Sequence, residues 1–196
     1  MKLVLASESR YRAEVLRQLR VPFVQVTSNH PEETIANEPP KARAQRLAIE
    51  KAEAVAKTID YPALIIGSDQ VASINDELLS KPGTVEKAKQ QLAKSSGQNG
   101  HFYTGCCVYN TTNQQSFSAV DTVTVKFRTL TQEEIAAYIK QDNPLDCAGS
   151  FKIEALGIAL MEEVRSNDPT SLVGLGLINL CNLLKKHNFN PIIHTN

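Results

Sequence analysis

Ile65-Ile66-Gly67-Ser68-Asp69-Gln70-Val71 is the stretch on which the reading of this chain turns. An apolar run, residues 63–67, leads up to Asp69, and a second run, residues 71–74, leaves from Val71. Short apolar runs bounded by turn formers predict two buried strands with Asp69 at their junction. Gly-Ser-Asp is ordinary turn chemistry, so by itself the acid reads as a turn residue. The alternative is a carboxylate held rigidly where a sheet meets a cleft, within reach of a substrate. The charged residues elsewhere in the chain favour the second reading.

Working outward, residues 3–6 predict a buried first strand, and Ser9 is placed to cap a helix running to about Leu19. Residues 22–26 read as a second strand. Residues 28–40 hold three prolines and no periodicity, which predicts a loop. A helix over residues 41–58 carries Leu47, Ala48, Ala52 and Val55 on one stripe. Asn75-Asp76-Glu77 reads as a turn into Leu78-Leu79. Thr84 caps a helix to about Ala93. Strands are expected over residues 102–110 and again up to Phe127, where Val123, Val125 and Phe127 alternate. Thr131 and Glu134 have capping-box spacing for a helix to Lys140. Residues 155–161 read as a strand and residues 175–186 as the last helix, with Lys185 and Lys186 at its negative end. Interspersed strands and helices, with several strands forced into hairpins, predict an α/β fold: a mixed β-sheet flanked by helices.

Composition narrows the function. The 196 residues suffice for a sizeable core. Lys plus Arg and Asp plus Glu number 21 each, so no net field draws the chain onto nucleic acid or anionic lipid. No apolar run nears the roughly 20 residues of a spanning helix. Cys106, Cys107, Cys147 and Cys181 lack C-x-x-C spacing, which argues against zinc. Without an export signal they read as reduced, mostly buried thiols of a cytoplasmic protein.

The candidates for chemistry are scattered. Ala6-Ser7-Glu8-Ser9-Arg10-Tyr11-Arg12 passes from a strand through hydroxyl residues into a helix start, where free N–H groups and arginines suit phosphate. Glu32-Glu33 could hold Mg²⁺, which needs only one or two protein carboxylates beside substrate oxygens. Lys51 and Lys81 could each place a point charge on a phosphate. In Cys147-Ala148-Gly149-Ser150-Phe151-Lys152-Ile153-Glu154, Lys152 and Glu154 share a face if the segment is extended. Taken singly, the first loop, the acidic pair and each lysine read first as a cap or solvated surface, and Lys152 with Glu154 reads equally as an exposed ion pair. The four histidines lack metal-ligand spacing, and no Walker A loop, G-x-S-x-G elbow or G-x-G-x-x-G run is present.

Taken in order, Leu5-Ala6-Ser7-Glu8-Ser9 with Arg12, Glu33, Lys51, Gly67-Ser68-Asp69-Gln70, Lys81-Pro82, His101 through Gly105, and Ala148-Gly149-Ser150 resemble the Maf family of nucleoside triphosphate pyrophosphatases. The resemblance covers nearly the whole chain. It implies one domain with two lobes around a cleft, related to inosine triphosphate pyrophosphatases. It also implies hydrolysis between the α and β phosphates with a divalent cation, Mg²⁺ or alternatively Mn²⁺. Gly-Ser-Asp-Gln is similar to the branch that acts on 7-methyl-GTP and removes modified nucleotides. By that resemblance Asp69 is the proton acceptor, and Glu33 with Asp69 holds the metal. Ser7, Arg12, Lys51 and Lys81 bind phosphate, while Arg12, Gln70 and Glu154 govern base choice. Two positions depart from the family. Tyr11 stands where a second arginine is common, and His30-Pro31-Glu32 precedes Glu33 where relatives more often have Val then Asp. The rival expectations are a UTP or dTTP pyrophosphatase of the same family and a non-catalytic nucleotide-binding regulator of cell division. The expected partner is a small-molecule nucleotide, with no nucleic acid and no membrane; a homodimer is left open.

Overall fold

The computed structural model describes residues 1–75 and 77–194, so Asp76, in the expected turn before Leu78, lies outside the described residues. The elements are β1 (Lys2–Leu5), α1 (Arg10–Arg17), β2 (Phe23–Gln25), α2 (Pro40–Ala56), β3 (Ala63–Ile74), β4 (Glu77–Leu79), α3 (Val85–Ser95), β5 (Asn99–Asn110), β6 (Ser116–Phe127), α4 (Gln132–Asp142), β7 (Met161–Arg165) and α5 (Leu177–Lys186). Among the described residues the strands follow the order β2-β1-β3-β5-β6-β7, with β4 on β3. β1 pairs parallel with β2 and β3, whereas β3–β4 and β6–β7 are antiparallel. The sheet is therefore mixed, as expected.

The caps read from sequence are in place. Ser9 accepts from the Arg12 N–H, Thr84 accepts from the Lys87 N–H, and Thr131 with Glu134 completes a capping box. Two expectations fail. Residues 63–74 form one continuous strand, so Asp69 lies within β3 rather than at a junction. Pairing with neighbouring strands outweighs the local turn preference of Gly-Ser-Asp, as tertiary context commonly does. The expected strand over residues 155–161 is instead a 3₁₀ turn at Leu156–Leu160, and the strand is Met161–Arg165. β7 is an edge strand, with Thr124 opposite Arg165 and Phe127 opposite Met161. A charged edge strand takes its ladder from one neighbour and needs no apolar alternation, so its sequence carries no strand signal.

The chain divides into two compact units: residues 1–69, 104–121 and 168–196, and residues 70–103 and 122–167. In the first, alternation along β1 and β3 sorts two cores. Leu3, Leu5, Leu64 and Ile66 pack with Val15 and Leu16 of α1 and Leu180, Leu183 and Leu184 of α5. Val4, Ala6, Ala63 and Ile65 pack with Ala48, Ala52 and Val55 of α2. β3 is apolar on successive residues because both its faces are covered. In the second unit Phe151 meets Phe102 and Phe127 edge-on, at ring-centre distances of 5.2 and 5.6 Å.

Cys106 and Cys107 are buried and Cys147 and Cys181 half-buried. Burial pushes the Cys107 and Cys147 thiols up to about 12, so all four positions suit neutral thiols rather than reactive thiolates.

Candidate functional site

Helix α2 lies so close to β3 and β5 that two positions admit no side chain. A methyl on Gly67 would collide with the Ala48 carbonyl oxygen and lie 2.9 Å from the Ala52 Cβ. A methyl on Gly105 would strike the Ala44 carbonyl. Alternation puts Asp69 on the same face of β3 as Gly67, turned toward α2. Lys51 sits three residues after Ala48 and four before Val55, on the buried stripe of that helix. The close approach therefore presses a lysine against an acid. Lys51 Nζ donates to Asp69 Oδ1 at 2.5 Å, and the two residues are only 7% and 6% exposed. Lys51 is thus an interior residue, where its sequence allowed an ordinary surface lysine.

Lys51 also donates to Glu32 Oε1 at 2.6 Å, so two carboxylates converge on one ammonium nitrogen. Glu32, not Glu33, is the loop acid that reaches this pair. Glu33 is exposed, and its backbone carbonyl accepts from Arg43 and Arg46, both at 3.2 Å. Arg43 further donates to the Glu32 carbonyl at 3.3 Å. The loop of residues 28–40 is thus tied to α2, and the exposed Glu32 reaches Lys51 from the surface side.

Arg46 fixes the far end of that loop with a two-pronged contact to Glu38, both bonds 2.6 Å, and it meets Glu50 at 2.8 Å. The Arg46 hydrogen bond holds the Glu38 carboxyl below the usual range. A depressed folded pKa gives stability that is present above the unfolded value and lost as pH falls through the folded one. Glu38→Gln is therefore expected to lower the urea midpoint near pH 6, with the difference from wild type shrinking as the pH falls below the ordinary carboxyl value of about 4.3. A pH-independent difference would sink this account.

On the other face of β3, α1 presents Arg12. Its Nη1 donates to Ser7 Oγ at 3.2 Å, its Nε donates to the Gly174 carbonyl at 3.0 Å, and the Ser9 N–H donates to Ser7 Oγ at 3.1 Å. Burial lowers the Arg12 pKa, opposed by the fields of Asp69 and Glu32. An arginine stays cationic under such a shift. Ser7, Arg12, Lys51, Asp69 and Glu32 all belong to the first unit. Arg10 lies over the Tyr11 ring, 4.7 Å from its centre, and donates to the Tyr11 hydroxyl, so this aromatic has a partner within its own helix.

Gln70, Lys81 and Glu154 belong to the second unit. Gln70 follows Asp69 in β3 and is half-buried; Lys81 and Glu154 are exposed. The segment before Glu154 is not extended: Ala148–Ser150 is a 3₁₀ turn, with Gly149 and Ser150 at φ of 77° and 62°. Lys152 does not pair with Glu154 but donates to the carbonyls of Asp142 and Asn143, at 2.7 and 3.1 Å. A cation at the carbonyl end of α4 satisfies groups the helix leaves open. His101 Nδ1 lies 3.2 Å from Thr124 Oγ1 in the same unit.

Among the described residues no group of three or more His, Cys, Asp or Glu side chains could hold a metal, and no helix is long and apolar enough to cross a membrane.

Comparison with known proteins gives a consistent picture. The family model for Maf-like proteins matches residues 2–187. A 7-methyl-GTP pyrophosphatase from Idiomarina loihiensis is 45% identical, covering 98% of each chain. A protein of the same name from Vibrio cholerae is 44% identical, over 97% of this chain and 98% of its own. In fold, the chain is similar to the Staphylococcus aureus Ham1 protein, with a TM-score of 0.50 over 96% of this chain and 98% of that one. At 13% identity that likeness speaks to architecture alone.

Proposed function

Since the chain belongs to the Maf family, we propose that it is a nucleoside triphosphate pyrophosphatase that hydrolyses 7-methyl-GTP to 7-methyl-GMP and pyrophosphate. The observation that carries this reading is the convergence of Asp69 and Glu32 on Lys51. A buried carboxylate held by an ammonium group suits a reaction in which water attacks a phosphorus and negative charge must be offset. Little covalent chemistry is asked of the protein in such a step, so placement and charge supply most of the rate.

In this reading Asp69 orients a water and accepts its proton. Lys51 steadies Asp69 in the resting enzyme and turns to phosphate oxygens when substrate enters. Arg12 and Ser7 hold the polyphosphate, the arginine by its planar fork of donors. Lys81 is proposed to offset phosphate charge, and Gln70 and Glu154 to choose the base, on the family resemblance. Methylation of guanine at N7 adds positive charge, which a carboxylate such as Glu154 favours.

A divalent cation, Mg²⁺ or Mn²⁺, fits the donor set that Lys51 bridges, because two hard carboxylates face a single point. Asp69 and Glu32 would hold it, with Glu33 one residue away on the same loop. When bound, such a cation neutralises charge on the phosphate oxygens.

The test is pyrophosphate release from 7-methyl-GTP, GTP, UTP and dTTP with Mg²⁺ or Mn²⁺. The expected result is a kcat/KM for 7-methyl-GTP at least about tenfold above the others, with the preference reduced in Glu154→Ala. A higher value for UTP or dTTP would refute the substrate. Tight nucleotide binding without turnover would refute the enzyme.

A further inference from the structure

Ser68 is fully buried. It lies between Gly67 and Asp69, so it points to the opposite face of β3, the face that carries α1 and α5. Its hydroxyl is 2.8 Å from the Gly174 carbonyl oxygen and 2.9 Å from that of Gly105. Both neighbours are acceptors, so the single hydroxyl proton is divided between them. The Gly174 carbonyl is also the acceptor for Arg12 Nε, at 3.0 Å. One oxygen thus ties the strand that carries Asp69 to the guanidinium of α1. Bonds through Nε and Nη1 set the plane of that guanidinium, while its remaining N–H groups can address a ligand.

We infer that Ser68 is a positioning residue that holds Arg12 in its substrate-binding orientation through the Gly174 carbonyl; this rests on the proposed role of Arg12 in nucleotide binding. Ser68→Ala removes one donor from that carbonyl and leaves it to Arg12 alone. Asp69 and Lys51, on the other face, keep their contact. The loss therefore falls on binding more than on chemistry.

The experiment is a double-mutant cycle of Ser68→Ala and Arg12→Ala, read in KM and kcat for 7-methyl-GTP. Ser68→Ala is expected to raise KM about tenfold, the worth of one ordinary hydrogen bond, and to leave kcat within about twofold. In the Arg12→Ala background the same change should alter KM less than about twofold. Ser68→Cys, with a weaker donor, should fall between wild type and Ser68→Ala. A role confined to folding predicts something else: lower melting temperature and kcat, unchanged KM, and equal effects in both backgrounds. That pattern would overturn the inference. A second readout needs no catalysis. Solvent exchange of the Arg12 Nε–H, followed by ¹⁵N NMR, should be slow in the wild type and several-fold faster in Ser68→Ala. Equal exchange would also overturn the inference. Should the wild type turn over no triphosphate, the proposed function fails, yet the exchange measurement still decides the role of Ser68.

Discussion

Asp69→Asn is expected to lower kcat for pyrophosphate release by about a thousandfold, the middle of the range for loss of a positioned general base. Asparagine has nearly the same shape, and its amide oxygen can still accept from Lys51, but it cannot take a proton from water. Lys51 keeps Glu32, at 2.6 Å, as its charged partner. Removing one member of a buried ion pair commonly costs about 3–5 kcal/mol when the remaining charge is left alone. Here the second carboxylate spares most of that cost, so Asp69→Asn should fold. The measurement pairs steady-state kinetics with circular dichroism and thermal melting. A variant that folds and keeps a rate within about tenfold of wild type would remove Asp69 from the chemistry. A variant that does not fold would show that Glu32 does not compensate, and Glu32→Gln, which keeps the buried Asp69 partner, would then be expected to fold.

Gly67→Ala carries the largest expected effect on stability. The added methyl meets the Ala48 carbonyl, a backbone atom of α2 that cannot turn aside as a side chain can. Overpacking in a tight core typically costs 1–3 kcal/mol, and a clash with helix backbone places this change at about 3 kcal/mol or above. For a chain of this length that corresponds to roughly 10 °C in melting temperature. Gly105→Ala should behave alike, since its methyl meets the Ala44 carbonyl of the same helix. Gly100→Ala is the control: its methyl would meet side-chain carbons of Ile74 and Val125 at 3.3 Å, which can adjust. Similar melting temperatures for Gly67→Ala and Gly100→Ala would contradict the packing described for α2. Activity should fall further than stability in Gly67→Ala, because pushing α2 outward also draws Lys51 from Asp69.

Much of the architecture is legible in local chemistry. Ser9, Thr84 and Thr131 start helices where their side chains can accept backbone N–H groups, and the structure places each cap there. Alternation of Val123, Val125 and Phe127 marks the buried face of β6. The strand at Met161–Arg165 was not legible, because an edge strand with charged side chains resembles a surface loop. Nor was the continuity of β3, since Gly-Ser-Asp favours a turn until neighbouring strands hold it extended.

The site divides along the same line. The residues alone offered Asp69, the loop with Ser7 and Arg12, and the acidic loop of Glu32 and Glu33 as candidates, and the family resemblance gave them roles. The burial of Lys51 had a visible sign, for it falls on the stripe of Leu47, Ala48, Ala52 and Val55. Read with that stripe, a lysine facing a sheet needs an acid, and Asp69 stands two residues after the glycine that faces α2. That Glu32 rather than Glu33 meets Lys51 had no such sign. It follows from Arg43 and Arg46 gripping the carbonyls of the loop, contacts made across ten or more positions of chain. The link from Ser68 through Gly174 to Arg12 spans more than a hundred positions.

The sequence by itself determined which residues could do chemistry here and the order of most elements, since charge, capping and periodicity are local properties. Only the tertiary structure decided which acid meets Lys51 and what holds Arg12. Both depend on backbone carbonyls whose positions are set by packing between distant segments, and a carbonyl has no signature in the sequence.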